Sequence, residues 1–236
     1  MNNNPILDIP KTGINAVDQL YFREWNSLGN MVEHDHGYLL NKIPSKILSQ
    51  IDKDIDYLIK DPNKIRVNEK LAGQITNELQ YPESPIVEDY IQSLVQKYDK
   101  RSKYITGYIK KMFSDNSKLN FTLSPFWANF QKKSEYNPMH THSGVLSFVI
   151  WYKTPYLYKD EVEYDTAKKG SSLCTNGLFS FIINKNGVVD SVYIPVDKNW
   201  DGYISLFPAN LFHQVYPFFT SDDYRISISG NIMLQS

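Results

Sequence analysis

Asn137-Pro138-Met139-His140-Thr141-His142-Ser143-Gly144 runs directly into Val145-Leu146-Ser147-Phe148-Val149-Ile150-Trp151-Tyr152. The second half of this stretch is apolar, β-branched and aromatic, which is the composition of a buried strand. On extended backbone, residues two apart point to the same face, so His140 and His142 can aim at one point. A third imidazole, His213, stands in another strand-like run, Gly202 to Val215, and Arg225 follows in Tyr224-Arg225-Ile226-Ser227-Ile228-Ser229. Paired imidazoles, a distal His and an Arg-x-Ser read together as a metal site and an anion clamp inside one β-barrel.

Outward from that stretch, strands are expected near 119–131, 145–153, 177–184, 188–194, 202–207, 212–218 and 224–233, with Asn186-Gly187 as a hairpin turn. Several short strands without intervening helices indicate an antiparallel barrel or jelly roll. Residues 154–176 are charged and irregular, and a loop of that length in a compact domain suits a lid or binding loop.

Upstream the pattern is helical. Pro44 opens a helix with Ile47, Leu48, Ile51, Ile55, Leu58 and Ile59 on one face and Lys53, Asp54 and Asp56 off it, and Asp61-Pro62 stops it. Arg66 to Leu79 is expected as a second helix, weakened by Gly73. Ser84-Pro85 is a cap-and-first-turn signal for a third, with Val87, Ile91, Leu94, Val95 and Tyr98 on one face. A further helical stretch carries Tyr104 to Met112. The expected fold class is therefore α+β: a mainly helical part over 1–117, packed on the outer face of a jelly-roll core over 118–236.

The 236 residues suffice for one large domain, with 42% hydrophobic and 14% aromatic content. A net charge of -1 and 22% charged residues do not suggest a nucleic-acid or basic membrane binder. No stretch approaches the roughly 18–20 apolar residues of a membrane span, and no signal peptide is visible at Met1-Asn2-Asn3-Asn4-Pro5. The single cysteine, Cys174, excludes an internal disulfide and favours a reducing cytoplasm. Abundant Lys, Asn, Ile and Tyr fit an AT-rich genome, such as that of a phage or a low-GC bacterium. There is no Walker motif, Gly-rich phosphate loop or Cys-x-x-Cys.

A second His-x-His, His34-Asp35-His36, precedes Gly37 among acidic neighbours and reads as an exposed polar turn. For any one histidine taken alone, a satisfied polar residue at a strand end would be the better reading. Three on separate strands of one jelly roll favour a shared metal. Arg225 could instead be a surface partner of Asp222 or Asp223, yet it begins a strand on which Arg225, Ser227 and Ser229 share one face and Ile226 and Ile228 the other. Trp127 and Asn129 likewise share a face, with Phe126 and Phe130 opposite; Trp127 suits core packing as well as a site.

From 119 to 233 the sequence resembles the iron- and 2-oxoglutarate-dependent oxygenases, in particular those common in bacteriophage genomes. The resemblance rests on Trp127-Ala128-Asn129, Asn137 to His142, Leu206-Phe207-Pro208 leading to His213, and Arg225-Ile226-Ser227-Ile228-Ser229-Gly230-Asn231, with Asn68-Glu69-Lys70-Leu71-Ala72-Gly73 in the helical front part. It implies a double-stranded β-helix, ferrous iron on His140 and His213, and 2-oxoglutarate on Arg225 and Ser227. Asn129 and Tyr152 become candidates to bond the cosubstrate. Oxygen is the other small-molecule partner, and the substrate (a peptide, nucleobase or metabolite) is left open. His142 occupies the place where the family carries a carboxylate, so the expected triad is His140, His142 and His213. A three-His cupin-type dioxygenase that does not use 2-oxoglutarate, and a non-enzymatic jelly-roll binding or structural protein, are the alternatives.

Overall fold

The computed structural model describes residues 37–107, 120–164, 173–185 and 188–235. The expected element around 14–25, the His34-Asp35-His36 turn, the helical residues beyond 107 and the Asn186-Gly187 turn itself lie outside them.

Two antiparallel sheets face each other. The first joins β1 (Leu39–Lys42), β2 (Glu78–Gln80), β3 (Asn120–Leu123), β4 (Trp127–Gln131), β6 (Leu146–Lys153), β9 (Tyr203–Pro208) and β11 (Arg225–Gln235) in the order β1-β9-β6-β11-β4-β2, with β3 also on β11. The second runs β5-β10-β7-β8, from β5 (Asn137–His140), β10 (His213–Val215), β7 (Phe179–Lys185) and β8 (Val188–Ile194). The long strand β11 pairs β6 on one side. On the other it pairs β4 from Arg225↔Gln131 to Ser229↔Trp127, then β3 from Ile232↔Leu123 onward. The expected single strand over 119–131 is thus two, broken at Ser124-Pro125, where proline has no N–H for the ladder.

Alternation divides the first sheet into two chemistries. Ile226, Ile228 and Ile232 of β11, with Leu146, Phe148 and Ile150 of β6 and Ala128 and Phe130 of β4, belong to a core shared with the helices. Val149, Trp151, Tyr203 and Phe207 face inward and pack with Phe179, Phe181, Ile183 and Val192 of the second sheet. The helix-facing core is covered by α1 (Ser45–Lys60) and α2 (Pro85–Ser102), as expected from their apolar stripes. Front-part strands β1 and β2 form the two edges of the first sheet, so the helical and jelly-roll parts share one sheet.

Three expectations are corrected. Arg66 to Leu79 is not a helix: it holds a 3₁₀ turn at Asn68–Lys70, then β2, with bridges Arg66↔Leu79 and Gln74↔Tyr136. Only Ile75 and Leu79 are buried apolar residues there, too few for a helical stripe. On α1, Ile59 is exposed, while Asp54 lies in the buried stripe, three residues from Ile51. Its carboxylate accepts from Gln50 Nε2 (2.8 Å), Tyr81 OH (2.9 Å) and Ser84 Oγ (2.6 Å). Ser84 therefore stands at the start of α2 without capping it through its hydroxyl, and Glu88 instead accepts from the Ser84 N–H. Finally, the segment after β6 contains α3 (Tyr158–Glu163), where Tyr158 and Glu161 are buried rather than loop-exposed. The Glu161 carboxylate accepts from the Phe219 and Thr220 N–H groups and the Thr220 hydroxyl, which ties the segment to the approach to β11.

Among the described residues, no helix is long and apolar enough to cross a membrane.

Candidate active site

Strand pairing brings the histidines together. His140 ends β5 and lies directly opposite His213 on β10, and a bulge between His213 and Val215 resets the register so that Asn137 faces Val215. The His142 backbone is pinned by its N–H to the Ala209 carbonyl at the end of β9 (2.8 Å). The turn to β6 needs Gly144, whose φ is +98° and where a side chain would run into the Ile232 carbonyl. The rings then converge, with centroids 4.3 Å apart for His140–His213, 4.9 Å for His140–His142 and 5.0 Å for His142–His213.

Local hydrogen bonds decide which nitrogen is bare. The Nδ1–H of His140 donates to the Pro138 carbonyl (2.6 Å) and that of His213 to the Leu211 carbonyl (2.9 Å). A carbonyl only accepts, so both rings are Nδ1–H tautomers with the Nε2 lone pair free. Nε2 of His142 lies 3.2 Å from Nε2 of His213. With no cation between them, one of these two nitrogens must carry a proton; a shared metal removes that need. Ligand bonds of about 2.1 Å at roughly right angles place donor atoms about 3 Å apart, close to this spacing. One ligand atom from each of His140, His142 and His213 falls within 4.8 Å of the others. Burial holds all three imidazoles neutral: His140 is lowered, His142 is lowered to about 4 with the His140 charge adding, and His213 lies well below the usual range. Neutral imidazole is the metal-binding form. The donor set therefore fits a divalent metal.

Trp127 packs beside His142 (5.7 Å between rings), so it is both core and site wall. Phe179 and Phe207 lie against His213. Asn129 is buried opposite Ser227 on β11; its Nδ2 donates to Ser227 Oγ (3.1 Å), and its Oδ1 has no partner among the described residues. Tyr152 does not join them. It stands on the helix-facing side of β6, beside the core that α1 and α2 cover, and its hydroxyl donates to Asp52 of α1 (2.9 Å). The inward neighbour on β6 is Trp151, since alternation turns Tyr152 away.

Arg225 is 5% exposed and is not a surface partner of Asp222, which pairs with Lys133 instead. It forms no ion pair among the described residues. Its guanidinium lies beside the rings of Tyr156 and Phe218, at 5.8 and 5.3 Å, and those two rings stack on each other. Nε donates to Gln131 Oε1 (3.1 Å). Nη1 donates to Tyr156 OH (2.5 Å) and the Gly177 carbonyl (3.1 Å). Nη2 donates to Gln131 Oε1 (2.7 Å) and the Tyr216 carbonyl (2.8 Å). All of the side chain's N–H donors are thereby met, every one by a neutral acceptor.

Gln131 and Tyr156 escaped the sequence reading. Gln131 was recoverable, because it continues the Trp127, Asn129 alternation. Tyr156 was not, because its place depends on the fold of the segment after β6. Glu78 on edge strand β2 was also missed. It is buried opposite Asn129, and burial, with the Glu135 charge adding, pushes its carboxyl up to about 7. Cys174 is half-buried with its thiol raised by burial, and it takes no part in the site.

Residues 125–231 match the family described as "Putative 2OG-Fe(II) oxygenase". Among solved structures, the chain is similar to the non-haem α-ketoglutarate-dependent epimerase SnoN from nogalamycin biosynthesis. The TM-score is 0.51 at 12% identity, over 88% of this chain and 81% of that one. It is also similar to a Pseudomonas putida prolyl-4-hydroxylase, with a TM-score of 0.49 at 12% identity, over 89% and 100%. No curated protein matches the chain. The sheet-rich α+β fold is the double-stranded β-helix, and the family match over residues 125–231 indicates a 2OG-Fe(II) oxygenase.

Proposed function

We propose that His140, His142 and His213 hold the ferrous iron on one face, and that Arg225, with Ser227 and Asn129 on the same side of the sheet, receives the 5-carboxylate of 2-oxoglutarate. The observation that carries the reading is a pair of features in one barrel interior. Bare Nε2 atoms of His140 and His213 converge with His142, and a buried cation has no anionic partner among the described residues. A buried charge without a counter-charge is costly, and a bound carboxylate would relieve it. When bound, iron and 2-oxoglutarate supply the oxidising power, one oxygen atom of O2 going to succinate and the other to substrate, with release of carbon dioxide. The chain's own share is to orient the imidazoles through the Pro138 and Leu211 carbonyls, to grip the diacid, and to keep the pocket dry with Trp151, Phe179 and Phe207.

Peptide side chains, nucleobases and small metabolites are all compatible substrates. A reducing cytoplasm is supported by the single Cys174, and a phage or low-GC source by the Lys, Asn, Ile and Tyr content. Two observations favour a second reading, a three-His dioxygenase in which substrate alone meets the metal: His142 stands where a carboxylate is usual, and the donors of Arg225 are met by protein. Anaerobic addition of 2-oxoglutarate to the ferrous protein separates the two. The visible charge-transfer band of the chelate is expected, with succinate formed once oxygen is admitted. No band and no succinate from fully iron-loaded protein would leave the second reading in place.

A further inference from the structure

Gln131 holds the edge of Arg225 that a carboxylate would take. It closes β4 directly opposite Arg225 and is 3% exposed. A single atom, its Oε1, accepts from both Nε–H (3.1 Å) and Nη2–H (2.7 Å), the fork edge used in bidentate carboxylate recognition. Its Nε2 donates to the Glu135 carbonyl in the turn after β4, which fixes the orientation of the amide. The other acceptors are less free to leave. Gly177 and Tyr216 use backbone carbonyls, and Gly177 is held by its own N–H to the Pro217 carbonyl (2.8 Å). Tyr156 is fully enclosed, and its hydroxyl donates onward to Gly177 (2.9 Å). Gln131 is thus the one acceptor of Arg225 that a rotation about side-chain bonds can withdraw.

We infer that Gln131 is a positioning residue that competes with the distal carboxylate of 2-oxoglutarate for the Arg225 fork, giving up its Oε1 contacts as the diacid binds. The inference rests on the reading of Arg225 as the clamp. A neutral amide is the weaker acceptor for a guanidinium, since a carboxylate in the same place adds the attraction of opposite charges in a buried setting, so the exchange favours the diacid. The amide keeps the fork pre-shaped and satisfied, and it lowers cosubstrate affinity by the contacts that must be broken.

The test is calorimetric titration of 2-oxoglutarate into manganese-loaded protein, where no turnover consumes it, with glutarate as a probe that lacks the keto group. Gln131→Met keeps the length and removes the acceptor, so 2-oxoglutarate should bind about tenfold tighter, equivalent to roughly 1.4 kcal/mol. Gln131→Glu places a permanent carboxylate on the fork, and binding should weaken by more than about tenfold while melting temperature holds or rises. Glutarate should follow both changes in direction. A Gln131 that merely packs predicts no such opposition, and equal or parallel changes in the two variants overturn the inference. If Gln131→Met does not fold, Gln131→Glu decides alone: unchanged or tighter binding overturns it. Failure of the clamp itself shows elsewhere, as unchanged 2-oxoglutarate affinity in Arg225→Lys.

Discussion

On one side of the barrel interior, His140 and His213 commit their Nδ1–H groups to backbone carbonyls and leave Nε2 bare; on the other, every N–H of Arg225 is met. The imidazoles are neutral, and their Nε2 atoms are turned toward one another. The guanidinium is charged and surrounded by acceptors that carry no charge. The difference teaches how each group binds. On the proposed reading, the histidines need only give up the one proton shared between His142 and His213 to take a cation, whereas the arginine must exchange a neutral partner for an anionic one. Metal affinity should therefore be set by ligand count, and cosubstrate affinity by competition.

The harshest way to break this comparison is to remove a ligand. His213→Ala deletes the most buried imidazole, with Nε2 3.2 Å from that of His142. Losing an outer-shell partner typically costs 10–100-fold in metal affinity, so losing the ligand itself should cost more than about 100-fold. Elemental analysis after desalting should fall from near one iron per chain to almost none. Retention of iron in a folded His213→Ala protein would move the metal elsewhere.

A smaller effect is expected at the other side. Arg225→Lys keeps a buried cation but loses the fork and leaves acceptors on Gln131, Tyr156, Gly177 and Tyr216 short of donors. Charge-assisted hydrogen bonds contribute about 1.5–3 kcal/mol, so 2-oxoglutarate binding should weaken by roughly 10- to 150-fold with iron content unchanged. Arg225→Ala should lose more and melt lower, because the same acceptors are then stranded in the interior. Calorimetry and elemental analysis on the same preparations separate the two affinities. A parallel fall in both would mean that Arg225 supports the histidines rather than the diacid.

Much of this arrangement was legible before any coordinates, because period-two alternation carries it. Arg225, Ser227 and Ser229 on one face and Ile226 and Ile228 on the other sort as β11 sorts them, and the α1 and α2 stripes cover the apolar side. The His-x-His pair was readable as two imidazoles near one point, although His142 lies just past the end of β5 and its backbone is held there by the Ala209 carbonyl. What failed depended on tertiary contacts. Glu161 looks like a loop charge, and its burial comes from backbone N–H groups nearly 60 residues away in sequence. The 66–79 segment has helix-compatible composition, but a strand edge on β4 captures its end. The saturation of Arg225 could not be read from its own motif, because three of its four partner residues come from outside β4 and β11.

Tyr152→Phe should have the smallest effect, and it tests the two-faced sheet directly. The aromatic run that ends at Tyr152 suggested a hydroxyl near the cosubstrate. Alternation on β6 instead sends Trp151 inward and Tyr152 toward α1. Its hydroxyl donates to Asp52 at 2.9 Å in a part-exposed setting, and burial with the neighbouring Asp52 charge raises its pKa, so it is a neutral donor at any working pH. Removing one such bond costs on the order of 0.5–1.5 kcal/mol of stability. The cost should appear as a drop of a few degrees in melting temperature or less. Iron content and 2-oxoglutarate affinity should both stay within about twofold of wild type, since that face of β6 turns away from the residues proposed to hold them. Asp52→Asn should lower the melting temperature by a similar amount, and the double variant should add little beyond either single change, because the pair shares one interaction. A tenfold loss of 2-oxoglutarate affinity in Tyr152→Phe, with the fold intact, would turn β6 over and with it the assignment of Trp151 to the pocket wall.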